Sequence, residues 1–170
     1  MQAFIALLRA VNVGGTGKLP MTELKAMCEA AGFKSVRTYI ASGNVVFHSS
    51  KSEAQVKAAL EKTLAAYAGK PVGVLVRTAA EMAAVLADNP FAEMPGNRCV
   101  AIFLDHPPPA DALQHVAGQG TEELRLGLRE IYGYYPDGQG ESKLRIPAAK
   151  NGTARNMNTV AKLADMAAAL

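Results

Sequence analysis

The fold is decided by residues 38–47, which read TYIASGNVVF. Tyr39 and Ile40 favour β-strands, and so do the three residues 45–47, VVF. Gly43 and Asn44 between them tolerate a positive φ and are typical turn residues. The stretch therefore predicts a β-hairpin whose polar turn is displayed between two apolar strands.

The elements around the hairpin predict a split β-α-β arrangement in the first half of the chain. Residues 3–8 form a nearly continuous apolar run, which is typical of a central strand. Pro20 can begin a helix and Gly32 can end it. Ser52 is a good N-cap for a second helix, and a further strand is predicted at 72–77. The order β-α-β-β-α-β is that of a ferredoxin-like unit.

The second half predicts a related order with one strand fewer. The predicted elements are a helix capped by Thr78, a strand at 98–105, a helix at 110–116, strands at 122–126 and 128–134, a loop at 151–156 and a last helix to Ala169. We therefore expect an α/β chain of the α+β type, built of two ferredoxin-like βαββα(β) halves at 1–77 and 78–170. Each half is expected to hold one antiparallel or mixed sheet with helices on one face.

The composition is that of an ordinary globular protein, with 49% hydrophobic and 19% charged residues. No apolar run approaches the ~18 residues that a membrane span needs, and the apolar N-terminus lacks the basic segment of a signal peptide. Cys28 and Cys99 are interpreted as buried structural thiols. We expect a cytoplasmic protein without a membrane partner.

Positive charge is concentrated at the two ends of the chain. Residues 1–50 and residues 141–170 each carry five Lys/Arg against two acids, a formal charge of +3. Residues 51–140 carry eight Lys/Arg against eleven acids, or −3. An anionic ligand held near both termini fits this distribution, and a chance scatter of surface charge fits it equally well.

Two further stretches, 9–18 and 151–159, share the polar, small-residue character of the hairpin turn. The first fails the Walker pattern, because Asn12 stands where that pattern has Gly and Leu19 where it has Ser or Thr. A glycine-rich loop between a strand and a helix can still present N–H groups to an anion, or serve only as a flexible connection. Arg9 offers a fork for phosphate or carboxylate, or is a solvated residue at a strand end.

Three stretches resemble the bacterial domain of unknown function 1697 family. They are 7–15, LLRAVNVGG; 38–47, quoted above; and 153–160, TARNMNTV. The resemblance implies an α/β fold of two ferredoxin-like parts and no established activity. The chain departs from the family at Ala154 and Met157, where the family usually has Thr and an aromatic residue. This departure would alter the wall of a site without removing its polar groups.

The candidate ligand-binding residues come from the three polar stretches. They are Arg9, Asn12, Gly14, Gly15, Ser42, Gly43, Asn44, Arg155 and Asn156. The stretches contain no Asp, Glu or Cys, which suits holding an anion and suits acid–base catalysis poorly. No catalytic residue and no cofactor are therefore assigned, and the scattered Cys and His residues show no metal-ligand spacing.

The predicted site depends on how the stretches meet. In a split β-α-β sheet the hairpin turn lies beside Arg9, and we expect Arg155 and Asn156 to close over both. Local roles compete with this hypothesis, because Ser42 and Asn44 can support their own turn and helix capping explains part of 151–159.

The sequence favours a cytoplasmic protein that binds a compact phosphate- or carboxylate-bearing ligand, such as a nucleotide, a short RNA or a metabolite. One alternative is an enzyme, a transferase or hydrolase acting on an anionic metabolite. Another is a structural or oligomerisation module. Nucleic acid stays open as a partner, although RNA-binding sheets stack bases on aromatic residues and the strand at 3–8 offers only Phe4.

Overall fold

The computed structural model describes residues 1–10 and 18–170. The described chain contains two four-stranded sheets, and every pair of neighbouring strands in them is antiparallel. Four α-helices accompany the sheets in these residues. The predicted fold class, an α+β chain of two ferredoxin-like halves, is confirmed.

The first sheet has the strand order of a split β-α-β unit. Its elements are β1 (Gln2–Leu8), α1 (Met21–Ala30), β2 (Lys34–Tyr39), β3 (Asn44–Ser49), α2 (Glu53–Ala68) and β4 (Val74–Thr78), followed by α3 (Ala79–Ala87). The order across the sheet is β2-β3-β1-β4. β1 is a central strand and is buried on both faces of the sheet. Phe4 and Ile5 are therefore each 1% exposed or less. This burial explains the continuous apolar run of that strand.

Local sequence signals set the helix ends of this half. The hydroxyl of Ser52 accepts a hydrogen bond from the Gln55 N–H at 3.2 Å, and the Gln55 side chain accepts one from the Ser52 N–H at 2.9 Å. This capping box begins α2, and Gly69 ends it in the left-handed region. Thr78 and Glu81 form a second box at the start of α3.

One face of the first sheet packs against α1 and α2. Cys28 on α1 and Leu60 on α2 lie in the same apolar cluster as Phe4 and Phe47 of the sheet. The rings of Phe33 and Phe47 stack with their centroids 4.3 Å apart. The prediction of helices on one face is therefore confirmed for this sheet.

The second sheet repeats the order of the first. Its strands are β5 (Cys99–Phe103), β6 (Glu123–Leu126), β7 (Glu130–Tyr134) and β8 (Thr153–Asn156), followed by α4 (Met157–Ala168). The order across the sheet is β6-β7-β5-β8. The prediction that this half lacks a final strand was wrong, since the residues assigned to a loop form β8. The sequence TARN has no strand pattern, and its pairing with the edge of β5 makes it a strand.

The prediction of a helix at 110–116 was also wrong. Only Ala112–His115 form a short 3-10 helix, and Pro147–Ala149 form another. The prolines before the first and Gly118 after it leave too few residues for a stable α-helix. These turns, with Leu113 and Ile146 packed against Val100, cover the face of the second sheet on which helices were expected.

The described chain divides into two compact units. Unit 1 comprises Met1–Met82 and Leu163–Leu170, and unit 2 comprises Ala83–Lys162. The division into halves at 1–77 and 78–170, the second completing the same structural unit, stays a prediction. Within the described ranges, no helix has both the length and the apolar character that a membrane span requires.

Candidate functional site

The end of β1 is held between two turns of unit 1. The Leu8 N–H donates a hydrogen bond to the Gly43 carbonyl at 2.8 Å, and the Arg9 N–H donates one to the Gly73 carbonyl at 2.9 Å. Leu7 lies opposite Asn44 in the register of β1 and β3. The hairpin turn therefore lies beside Arg9, as the antiparallel pairing of these strands requires.

The hairpin turn is stabilised by its own side chains. Asn44 is fully buried, and its amide nitrogen donates hydrogen bonds to the Tyr39 carbonyl and to the Ser42 hydroxyl, both at 2.9 Å. Gly43 has a φ of 91°, as predicted for this turn. The local role that the sequence left open for Ser42 and Asn44 is confirmed, because both amide hydrogens of Asn44 are used inside the turn.

A cavity of about 380 Å³ opens beside Arg9. It has three basic lining residues, Arg9, Lys18 and Lys70, and its described lining contains no Asp or Glu. The remaining described lining residues are Ala10, Leu19, Leu64, Tyr67, Ala68, Pro71, Val72 and Gly73. All of them belong to unit 1. The described lining thus combines three cations with mainly apolar residues.

The described residues that flank the glycine-rich stretch in sequence line this cavity. Ala10 and Lys18, the described residues on either side of 11–17, both line it. Asn12, Gly14 and Gly15 were predicted to bind the ligand, and they lie outside the described residues.

The side chain of Arg9 is supported by the start of β4. A Cβ placed on Gly73 would lie 3.5 Å from both Cβ and Cδ of Arg9. This ordinary van der Waals distance leaves room for a methyl group and little for a branched side chain. Gly73 therefore allows the aliphatic part of Arg9 to lie against the backbone.

Arg155 and Asn156 have structural roles within unit 2. Arg155 is 7% exposed, and its Nη1 donates hydrogen bonds to the Thr153 hydroxyl at 2.7 Å and the Ala154 carbonyl at 2.9 Å. Burial lowers the pKa of the Arg155 guanidinium to about 10. The side chain of Asn156 accepts a hydrogen bond from the Thr159 N–H at 2.9 Å and caps α4. Convergence of these residues with Arg9 and Ser42 stays a prediction.

The two cysteine thiols are buried, and the described side chains that could bind a metal ion are not grouped together. Cys28 and Cys99 are both buried free thiols, as predicted, and burial raises the pKa of Cys28 to about 12. Across the residues that the structure describes, no three His, Cys, Asp or Glu side chains are grouped so that they could hold a metal ion.

Comparison with known proteins identifies the family. The family model described as a protein of unknown function, DUF1697, matches residues 1–132. The chain belongs to this family. A solved structure of a conserved bacterial protein from Streptococcus pneumoniae is similar, with a TM-score of 0.79 and 24% identity over 98% of each chain. At this identity the similarity concerns the fold. No curated protein matches the sequence.

Sequence reasoning missed part of the cavity in this DUF1697 protein. Lys18 lay inside a polar stretch but was not chosen, and Tyr67 and Lys70 lay outside all three stretches. The sequence feature that could have indicated these residues is the run 67–71, YAGKP. It places an aromatic residue and a cation on either side of a helix end. That run comes near Arg9 only because β4 pairs with β1.

Proposed function

We propose that this DUF1697 protein binds a compact ligand carrying a phosphate or carboxylate group in the cavity of unit 1. The observation that carries the proposal is the grouping of Arg9, Lys18 and Lys70 around one cavity without a carboxylate in its described lining. Like charges held together repel one another, and a bound anion would offset that repulsion. The volume of about 380 Å³ is near the lower end of the ~300–1,000 Å³ typical of ligand pockets, which favours a compact ligand.

The anionic group is best assigned to the part of the cavity formed by Arg9 and Lys18. These two cations flank the glycine-rich loop, whose sequence offers several backbone N–H groups suited to an anion. Lys70 follows the carboxyl end of α2, where the helix dipole attracts a cation and disfavours an anion. Unit 1 alone supplies this site, and neither Arg155 nor Asn156 is required for it.

Binding is favoured over acid–base catalysis. The described lining contains no His, Asp, Glu or Cys, and the loop sequence 11–17, VNVGGTG, adds none. The His and carboxylate side chains that most often act as general bases are therefore missing from the described lining. An extended RNA surface is also disfavoured, since Phe4, Phe47 and Tyr132 of the sheets are buried. We infer a cytoplasmic location because buried free thiols suit a reducing compartment.

The first experiment measures the affinity of the protein for inorganic pyrophosphate, ribose 5-phosphate and citrate by isothermal titration calorimetry. Arg9→Ala and Lys18→Ala are expected to weaken binding at least fivefold. Arg37→Ala and Lys62→Ala are the matched controls, because these cations are exposed in unit 1 and do not line the cavity. Equal effects in both pairs of variants, or no binding of any anion by the unmodified protein, would show that the proposal is wrong.

A second experiment displaces Arg9 without changing any charge. Gly73→Val would place branched atoms against Cβ and Cδ of Arg9, whereas Gly73→Ala fits at the existing 3.5 Å distance. We expect the valine variant to bind anions more weakly and the alanine variant to bind them normally. Thermal unfolding of both variants checks that the fold is retained. Unchanged binding by a folded Gly73→Val protein would contradict the role of Arg9.

A further inference from the structure

Resting on the proposed function, we infer that the ligand is a nucleoside monophosphate or a closely similar molecule, in which a flat aromatic ring is joined to the phosphate. The inference comes from Tyr67 and the apolar residues that line the same cavity as Arg9 and Lys18. Neither inorganic phosphate nor a sugar phosphate would use an aromatic surface.

Tyr67 supplies an aromatic surface at the cavity. It continues the apolar stripe of α2 after Leu60 and Leu64, which are each 1% exposed, yet Tyr67 itself is 47% exposed. Exposed tyrosines are common on helices, but this ring lines the same cavity as Arg9 and Lys18. Stacking of a base on an aromatic side chain stabilises binding and tolerates any base. Tyr67 therefore offers a nucleobase a surface that a sugar phosphate cannot exploit.

The end of α2 lies at the same cavity as this ring. The last carbonyl groups of an α-helix have no partner within the helix, and Tyr67 and Ala68 line the cavity at that end. Carbonyl oxygens accept hydrogen bonds from amino groups or sugar hydroxyls, and the negative end of the helix dipole disfavours a phosphate. The cavity lining thus combines the cations Arg9 and Lys18 with the aromatic ring of Tyr67.

These groups match the two parts of a nucleoside monophosphate. The phosphate would be bound by Arg9 and Lys18, and the base would stack on Tyr67 with its edge or its ribose hydroxyls toward the end of α2. The apolar residues Leu64 and Val72 would contact the ring and the sugar. A cavity of about 380 Å³ favours one nucleotide over a dinucleotide.

The test compares ligands that share a phosphate and differ in the ring. Calorimetry would measure the affinities of the monophosphates of adenosine, guanosine and uridine against that of ribose 5-phosphate. We expect at least one nucleotide to bind tenfold tighter than ribose 5-phosphate. Tyr67→Ala should remove most of that difference while leaving the affinity for ribose 5-phosphate unchanged. Tyr67→Phe keeps the ring and should keep the difference.

The outcomes separate this inference from the proposed function. If ribose 5-phosphate binds as tightly as every nucleotide, or if Tyr67→Ala weakens all the ligands equally, the nucleotide inference is wrong and the anion site survives. If no phosphate-bearing ligand binds but citrate does, this inference is wrong and the anion site survives. If citrate fails to bind as well, the proposed function fails and this inference fails with it.

Discussion

The backbone N–H of Leu8 donates a hydrogen bond to the carbonyl oxygen of Gly43 at 2.8 Å. This bond joins the end of β1 to the hairpin turn at the residue before Arg9. The next N–H, that of Arg9, is bonded to Gly73 at the start of β4. The position of the Arg9 backbone is therefore set from both sides, and a change in either turn should affect the cavity as well as stability.

Gly43→Ala is expected to lower the free energy of unfolding by about 1 kcal/mol or more. The reason is the φ of 91°, which residues with a side chain rarely adopt. Urea denaturation followed by circular dichroism measures the change. Gly140→Ala is the matched control, since a Cβ there meets nothing within 4 Å and needs no unusual φ. Equal midpoints for the two variants would mean that the hairpin does not constrain Gly43.

Asn44→Ala is expected to destabilise the protein by about 1–3 kcal/mol, because a buried carbonyl and a hydroxyl lose their donor. The two bonds lost run from the Asn44 amide to Tyr39 and Ser42. Asn44→Asp should also destabilise, since a carboxylate of similar size cannot donate them. The exposed Asn97 provides the control variant Asn97→Ala. A loss no larger than that of the control would contradict the role of Asn44 in the turn.

Lys57 and Glu61 on α2 both bind the backbone of Val74, so we expect them to stabilise the β4 edge cooperatively. The Lys57 ammonium donates to the Val74 carbonyl, and the Glu61 carboxylate accepts from the Val74 N–H at 3.3 Å. The two side chains are also paired with each other at 3.3 Å. A double-mutant cycle with Lys57→Met and Glu61→Gln should give a coupling energy of about 0.5 kcal/mol or more, reduced by salt. Strictly additive effects would show that the two residues act independently.

Cys28 should make stability fall as the pH rises above 9. Burial raises its pKa from 9.0 to about 12 in the folded protein, so the unfolded chain loses the thiol proton first and is favoured at alkaline pH. Each unit of pH in this window corresponds to about 1.4 kcal/mol for a single group. Urea unfolding at pH 8, 9 and 10 under reducing conditions should show a steeper loss in the unmodified protein than in Cys28→Ala. Identical slopes would contradict the shifted pKa of the thiol.

Local chemistry in the sequence was sufficient for the hairpin and for several helix ends. Gly43 was predicted to be a turn residue that tolerates a positive φ, and Ser52 and Thr78 were predicted as N-caps. Each of these predictions depends on contacts within a few residues, which the sequence contains directly. The apolar run of β1 also predicted a central strand, because burial of that strand requires apolar side chains.

The candidate site was predictable only in part. Arg9 and the hairpin turn were expected to be neighbours, since strand order follows from the β-α-β pattern. Tyr67 and Lys70 were not chosen, because nothing within their own segment indicates that it faces Arg9. The pairing of β4 with β1 brings them to the cavity.

The sequence by itself determined the hairpin, the helix caps and the order of the first sheet, because turn conformation, capping and apolar periodicity act between residues that are close along the chain. Tertiary structure decided that TARN is a strand, since β8 exists through the hydrogen bonds that β5 offers across about fifty residues of chain. It also decided that the face of the second sheet is covered by short turns instead of α-helices. The cavity beside Arg9 has the same origin, because its lining comes from separate segments that only strand pairing and helix packing bring together.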